Sequence, residues 1–172
     1  MTQGRPQNTP SEQEFRDVMA EVCSPVTVVT SMHTAVPHGT TVSAFASLSL
    51  RPPMVTVALD RSSDLLAQLR ASGRLGVNIL GSGQHRLAVQ FAGKGTDKFA
   101  GVDWQVDHEL PRLSRAVGWL VCTVDQLIDG GDHLLVIAVV QHADCAPAEP
   151  LAYHRRMFGT HSGFADLSPA GQ

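Results

Sequence analysis

The sequence predicts a mainly β fold, a closed or nearly closed antiparallel barrel with small helices as plugs, and three observations carry that expectation. β-branched and apolar runs recur at short spacing along the 172 residues. The two longest runs, 117–128 and 133–141, flank a hairpin-type turn, Asp129-Gly130-Gly131-Asp132. Helical periodicity is confined to three short stretches, fewer and shorter than a doubly wound parallel sheet requires.

Residues 1–10 are polar and proline-containing, and are expected to form a disordered tail ahead of a single domain over 11–160, with a second flexible tail over 161–172. Ser11 followed by Glu14 is a capping box, and Phe15, Val18, Met19 and Val22 follow at helical spacing, so a first helix is predicted over 11–22. Pro25 ends it. The run VTVVTS over 26–31 reads as a strand, with a polar turn over 32–39. From His38 to Leu50 hydroxyl and small side chains alternate through one strand pattern, which Arg51-Pro52-Pro53 breaks because neither proline can donate to a ladder. Residues 54–59 resume as an apolar strand, giving a hairpin with a rigid corner. Asp60-Arg61-Ser62-Ser63 offers N-cap residues to a helix over 64–71 that Gly73 closes. LGVNIL over 75–80 is another strand, 84–91 a second short helix starting near Ser82, and AGKGTDKFA over 92–100 a loop with two lysines and two glycines.

Composition narrows the function classes. A chain that is 43% hydrophobic and 17% charged is globular, and 13 Lys plus Arg against 16 Asp plus Glu leave a net charge of −3 with no basic run to follow a phosphate backbone. Nucleic acid is not an expected partner. The longest apolar run, 134–140, is far shorter than a spanning helix, and the N-terminus carries no apolar signal core, so a soluble cytoplasmic protein without membrane contact is expected. The 3 cysteines, Cys23, Cys122 and Cys145, are widely spaced and read as reduced thiols, not as a disulfide framework.

Hydrolytic and metal motifs are missing from the sequence, as are the phosphate-binding Gly-x-x-x-x-Gly-Lys and the dinucleotide fingerprint Gly-x-Gly-x-x-Gly. The histidines do not cluster as ligands, and no protein-built metal site is indicated. What remains is chemistry carried by a bound cofactor, with the protein supplying position and electrostatics. An isoalloxazine needs amides and hydroxyls at its polar edge, an apolar wall, and an anion site for its ribityl phosphate. Thr41, Ser43, Ala44, Ser47 and Ser49 suit the edge and tail; Ser62 and Ser63 at a helix start, helped by Arg61, suit the phosphate; Lys94 and Lys98 are further phosphate candidates. The same residues also read as ordinary strand hydroxyls, an ordinary cap and solvated loop charges. His133, just after the Gly-Gly turn, either donates to a carboxamide at a barrel rim or touches only water. Trp104, Trp119, Phe45, Phe91, Phe99 and Phe158 read as packing, and Tyr153 and Arg155 either dock the C-terminus or face substrate.

At these residues the chain resembles the short-chain flavin reductases of two-component monooxygenase systems, which have an FMN-binding split-barrel fold of Greek-key type. The resemblance rests on FRDVMAEVCSPVTVVT, HGTTVSAFASLSLRPPMVTVAL, GRLGVNIL, QHRLAVQFAGKGTDKF, GDHLLVIAVV and PLAYHRRMFG, in the family's order over residues 14–159. Its specific parts are the G-x-T-x-S-x-F-x-S-x-S-x-x-P-P string and the Gly-Asp-His turn. The resemblance implies flavin contacts from Thr41, Ser43, Ala44, Ser47 and Ser49, with Asp60, Ser62 and Ser63 by the tail and Lys94, Lys98 and Phe99 closing the phosphate side. It places His133 and Tyr153 at the nicotinamide. Ala138 and Ala152 depart from the family's usual residues and bear on pocket shape. The implied activity is reduction of FMN or FAD by NADH or NADPH through hydride transfer to flavin N5, needing no acid or base residue. A homodimer, with reduced flavin passed to a separate monooxygenase, is also implied. A non-enzymatic flavin carrier or sensor on the same barrel, and a barrel for an unrelated apolar ligand, are the competing expectations.

Overall fold

A computed structural model describes residues 9–95 and 97–161. Most of both predicted tails therefore lies outside the described residues. Helix α1 (Glu12–Ala20) starts at the expected capping box: the Ser11 side chain accepts from Glu14 N while the Glu14 carboxylate accepts from Ser11 N. None of its residues is buried.

The strands are β1 (Ser24–Pro25), β2 (Thr27–His33), β3 (Val36–Val42), β4 (Phe45–Leu50), β5 (Pro53–Asp60), β6 (Arg74–Ile79), β7 (Trp104–Asp107), β8 (Leu110–Leu113), β9 (Gly118–Gly130), β10 (His133–Cys145), β11 (Leu151–His154) and β12 (Met157–Thr160). Seven of them form one antiparallel sheet in the order β3-β2-β6-β9-β10-β5-β4. This is an interleaved, Greek-key-type order, as expected. No ladder joins the two edges, so the barrel is split. The opening falls between β3 and β4, strands that are consecutive in the chain.

The expected single strand over 38–50 is therefore two strands. Val42 still pairs with Thr27, whereas Ala44 O already accepts from Ala58 N at 3.0 Å. Ser43 alone makes the crossing, and its neighbours belong to opposite edges of the sheet. The proline corner behaves as predicted: β4 and β5 form a hairpin around the cis Arg51-Pro52 bond. The polar segment 32–39 is mostly strand, and its turn is only Thr34-Ala35, both at positive φ. Two hairpins were not anticipated: β7–β8 turns at His108-Glu109 and β11–β12 at Arg155-Arg156, in each case through non-glycine residues at positive φ. Without a Gly or Asn at the turn, nothing in the sequence announced them.

Helix α2 (Asp64–Ser72) ends on Gly73 at φ 67 and drives Leu65, Leu66 and Leu69 into the barrel, against Val29, Val57, Leu75, Val77 and Val136. Helix α3 (His85–Ala92), preceded by a 3₁₀ turn at Ser82–Gln84, packs Ala88 and Phe91 on the other face of β2 with Val26, Val28, Leu80 and Leu151. With helices and loops on both faces, β2 is buried through five successive residues, which is why its sequence does not alternate. Cys122 lies in the barrel core, where burial pushes its thiol up to about 12 and leaves it inert. Asn78 is buried but satisfied, donating to Val28 O and accepting from Leu113 N at 2.7 Å, which ties the β7–β8 hairpin to the sheet.

Gly76 on β6 makes room for the Trp119 ring; a Cβ there would lie 2.3 Å from Trp119 Cη2 and 2.7 Å from the buried Thr30 Oγ1. Gly76→Ala is expected to lower stability by about 1–3 kcal/mol, since neither the indole nor the buried threonine has free space to retreat into. Urea unfolding checks this, and an unchanged midpoint would contradict the packing described.

Candidate functional site

Beside the opening that separates β3 from β4, a cleft of about 810 Å³ lies between β3 and the corner from β5 into α2. One wall is β3 and the crossing, from Pro37 to Ala44; another is the end of β5 and the start of α2, with Ala58, Leu59, Asp60, Ser62, Ser63 and Asp64; the third is the loop after α3, with Ala92, Gly93, Lys94, Gly95, Lys98 and Phe99. His133 enters from the β9–β10 turn. As an edge strand, β3 leaves one row of amides and carbonyls out of the ladder.

Local chemistry assigns different tasks to the hydroxyls. Thr41 Oγ1 donates to Ala88 O at 2.7 Å and so holds β3 against α3. Gly39 lies where a Cβ would meet the Phe91 ring at 2.8 Å, so the same helix approaches the strand too closely for any side chain. Ser43, exposed on the crossing, is not used by either ladder. Asp60 Oδ1 accepts from Ser62 N at 2.7 Å and from Ser62 Oγ at 2.6 Å, a closed turn that delivers Ser63 to the start of α2. Ser63 is the N-cap residue, yet its side chain makes no capping bond, and it lines the cleft at the positive end of the helix.

The charges sort in the same way. The Ser62 hydrogen bonds, side-chain first, hold the Asp60 carboxyl below the usual carboxylate range, with His133 and Lys94 adding to the effect. Burial lowers the Lys98 ammonium, which donates to Phe91 O at 3.0 Å and ties the loop to α3. Lys94 extends exposed at the cleft rim. Phe99 stands edge-on to Phe91 and Trp104, with ring centroids at 4.9 and 5.2 Å, closing the floor of that side. His133 Nδ1 lies 2.8 Å from Asp132 Oδ1, and this hydrogen bond lowers the Asp132 carboxyl.

Of the residues singled out in the sequence, the structure brings Thr41, Ser43, Ala44, Asp60, Ser62, Ser63, Lys94, Lys98, Phe99 and His133 to one cleft. Ser47 and Ser49 lie further along β4, which contributes no residue to the lining. Tyr153 lines a neighbouring apolar hollow of about 360 Å³ with Val26, Ala88, Val89 and Phe158, which shares Thr41, Ser43 and Ala92 with the cleft. His133 and Tyr153 thus face two adjoining hollows, not one. Arg61 is corrected as a phosphate helper: its guanidinium is engaged by Gly131 O and Asp129, and it does not line the cleft. Arg155 docks the C-terminal hairpin on α1 through Glu21. His38 and Asp64 also line the cleft, and no pattern in the sequence marked either as a site residue.

This split barrel, opened at a hydroxyl-lined edge beside an uncapped helix start, defines a class of small flavin-handling domains. The chain belongs to the family described as Flavin reductase like domain, which it matches over residues 19–162. Among curated proteins it is 41% identical over 146 residues to the reductase component of a 4-nitrophenol 4-monooxygenase/4-nitrocatechol 2-monooxygenase of Rhodococcus opacus, covering 85% of this chain and 79% of that protein. It is 37% identical to an NADH:FMN oxidoreductase of Rhodococcus qingshengii, covering 82% and 77% of the two chains. Among solved structures it is similar to an NADH:FAD oxidoreductase of Streptomyces globisporus C-1027 in complex with NAD and FAD fragments. The TM-score is 0.86 at 31% identity, with 91% and 96% of the two chains covered.

The pH dependence follows from Asp60. Its folded pKa is depressed, so its contribution to stability is present above the ordinary carboxylate pKa and is lost as pH falls through the lower folded value. The stability advantage of the native chain over Asp60→Asn should hold steady from neutral pH to about pH 5 and shrink below about pH 4. Urea unfolding across that range checks the sign; an advantage that grew on acidification would contradict it.

Proposed function

We propose that this chain reduces FMN or FAD with NADH or NADPH and releases reduced flavin to a separate monooxygenase, with the flavin held in the cleft between β3 and the corner from β5 into α2. The observation that carries the site is the convergence of three features in that cleft: the unpaired edge of β3, the free Ser43 crossing, and the uncapped start of α2 facing Lys94. They fit the group. The β3 edge and the 43–44 crossing offer backbone and hydroxyl partners to a polar ring edge, while Ser63, the α2 amides and Lys94 suit a phosphate. When bound, the flavin supplies the hydride acceptor for the reduced nicotinamide. Thr41 and Lys98 hold the walls by their bonds to α3, and Asp60 holds Ser62 and Ser63 in place. His133, oriented by Asp132 through Nδ1, presents Nε2 as the group that positions the nicotinamide carboxamide. Tyr153 flanks the same space from the adjoining hollow, and Ser47 and Ser49 extend the polar edge along β4.

No residue is required to act as acid or base, because these groups bind and orient two flat rings and exclude water between them. Ser43→Leu should raise the flavin dissociation constant at least tenfold, and His133→Ala should harm turnover with NADH more than flavin binding. Flavin titration and stopped-flow NADH oxidation together check both. Unchanged affinity in the first variant, or equal losses in the second, would overturn these assignments, and tight flavin binding without NADH oxidation would identify a carrier.

The reading extends to a cytoplasmic homodimer. Among the described residues no helix is long and apolar enough to cross a membrane. Phe15, Val18 and Met19 leave the apolar side of α1 uncovered, and Val22 just after it and Met157 and Phe158 on β12 are exposed as well. A second copy that buries this face should give a dimer in sedimentation equilibrium, converted to monomer by Val18→Glu; a native monomer would refute the pairing.

A further inference from the structure

Arg61 lies just outside the cleft lining, one residue before Ser62 and in contact with the turn that precedes His133. Its backbone N–H donates to Asp132 O at 3.1 Å. Its Nε donates to Gly131 O at 2.8 Å, and its Nη2 to Asp129 Oδ1 at 2.6 Å. Three bonds from one residue therefore grip both members of the two-residue turn, Gly131 and Asp132, and the strand end before it. That turn needs such a grip. Gly131 sits at φ 70, the last six residues of β9 are all exposed, and the tip of a long hairpin is where a sheet opens first. The imidazole it carries lines the cleft, and the carboxylate of Asp132, whose carbonyl Arg61 holds, also accepts from that ring at Nδ1.

We propose that Arg61 is a positioning residue for His133: it clamps the Gly131-Asp132 turn so that the imidazole stays aimed into the cleft, and it does not act as an anion ligand. The planar fork of an arginine suits this task, since one edge reaches a carbonyl while the end reaches a carboxylate; a lysine has a single ammonium and cannot hold both. The inference rests on the role given to His133 above, and it links the flavin side of the cleft to the nicotinamide side through one residue at the end of β5.

The experiment measures KM and kcat for NADH, together with dissociation constants for FMN and for riboflavin, in Arg61→Ala, Arg61→Lys, Asp129→Asn, His133→Ala and the Arg61→Ala/His133→Ala pair. Arg61→Ala and Arg61→Lys should each raise KM for NADH roughly three- to fivefold, the size expected for loss of an exposed but multiply bonded ion pair, with both flavin dissociation constants unchanged. Asp129→Asn should move KM in the same direction by less, and it tests the clamp without altering residue 61. In the pair, removing Arg61 should add nothing to the His133→Ala effect. Hydrogen exchange at the residue 61 amide, which donates to Asp132 O at the turn, should quicken in Arg61→Ala and stay unchanged in His133→Ala. A rise in the FMN constant without a rise for riboflavin would show that Arg61 binds the phosphate and overturn the proposal, as would full additivity in the pair or unchanged exchange at that amide in Arg61→Ala. If His133→Ala alone leaves NADH kinetics intact while exchange still quickens in Arg61→Ala, the histidine assignment fails and the clamp survives only as a structural bond, so the positioning role falls with it.

Discussion

The site depends on an unmade ladder. Strands β3 and β4 follow one another in the chain, yet they are the two edges of a seven-stranded sheet, and only Ser43 separates a residue paired with β2 from one bonded to β5. Had they paired, the barrel would have closed and buried its backbone groups. Left apart, β3 keeps one row of amides and carbonyls out of any ladder, along a cleft to which the chain also brings a helix start and a lysine-bearing loop. An exposed edge invites unwanted strand pairing, and here it is guarded by α3 on one side, through Thr41 and Gly39, and by the α2 turn on the other.

The polar groups around the opening divide into those that build it and those that remain available. Asp60, Thr41, Lys98 and Arg61 have their bonds within the protein, to Ser62, Ala88, Phe91 and the β9–β10 turn. Ser43, Ser63 and Lys94 project into the cleft, and His133 is held at one nitrogen only. This division matters for reading such sites, because a hydroxyl or cation near a ligand cleft is as often a tie between elements as a contact. The proposed reaction asks of the protein that it hold surfaces at fixed spacing, and the ties do that.

Much of this was legible in the sequence where local chemistry speaks. The Ser11–Glu14 box, the proline corner at Arg51-Pro52-Pro53, the Gly73 cap and the Gly-Asp-His turn each act through neighbours in the chain, and each stands where expected. The hydroxyl-rich string after His38 pointed to the cleft. What sequence could not supply was the crossing at Ser43, since one alternating pattern serves equally for a continuous strand and for two that diverge. The turns at His108-Glu109 and Arg155-Arg156 carry no glycine, so their hairpins were silent. Arg61 misled for a related reason: an arginine beside two serines at a helix start resembles an anion site until the β9–β10 turn, some 70 positions on in the chain, is folded against it.

The most direct test is a crystal structure of the protein soaked with FMN. The account predicts the isoalloxazine along the β3 edge and the Ser43-Ala44 crossing, with the phosphate at Ser63 and the start of α2. Flavin bound elsewhere on the protein, with that edge left facing water, would contradict it.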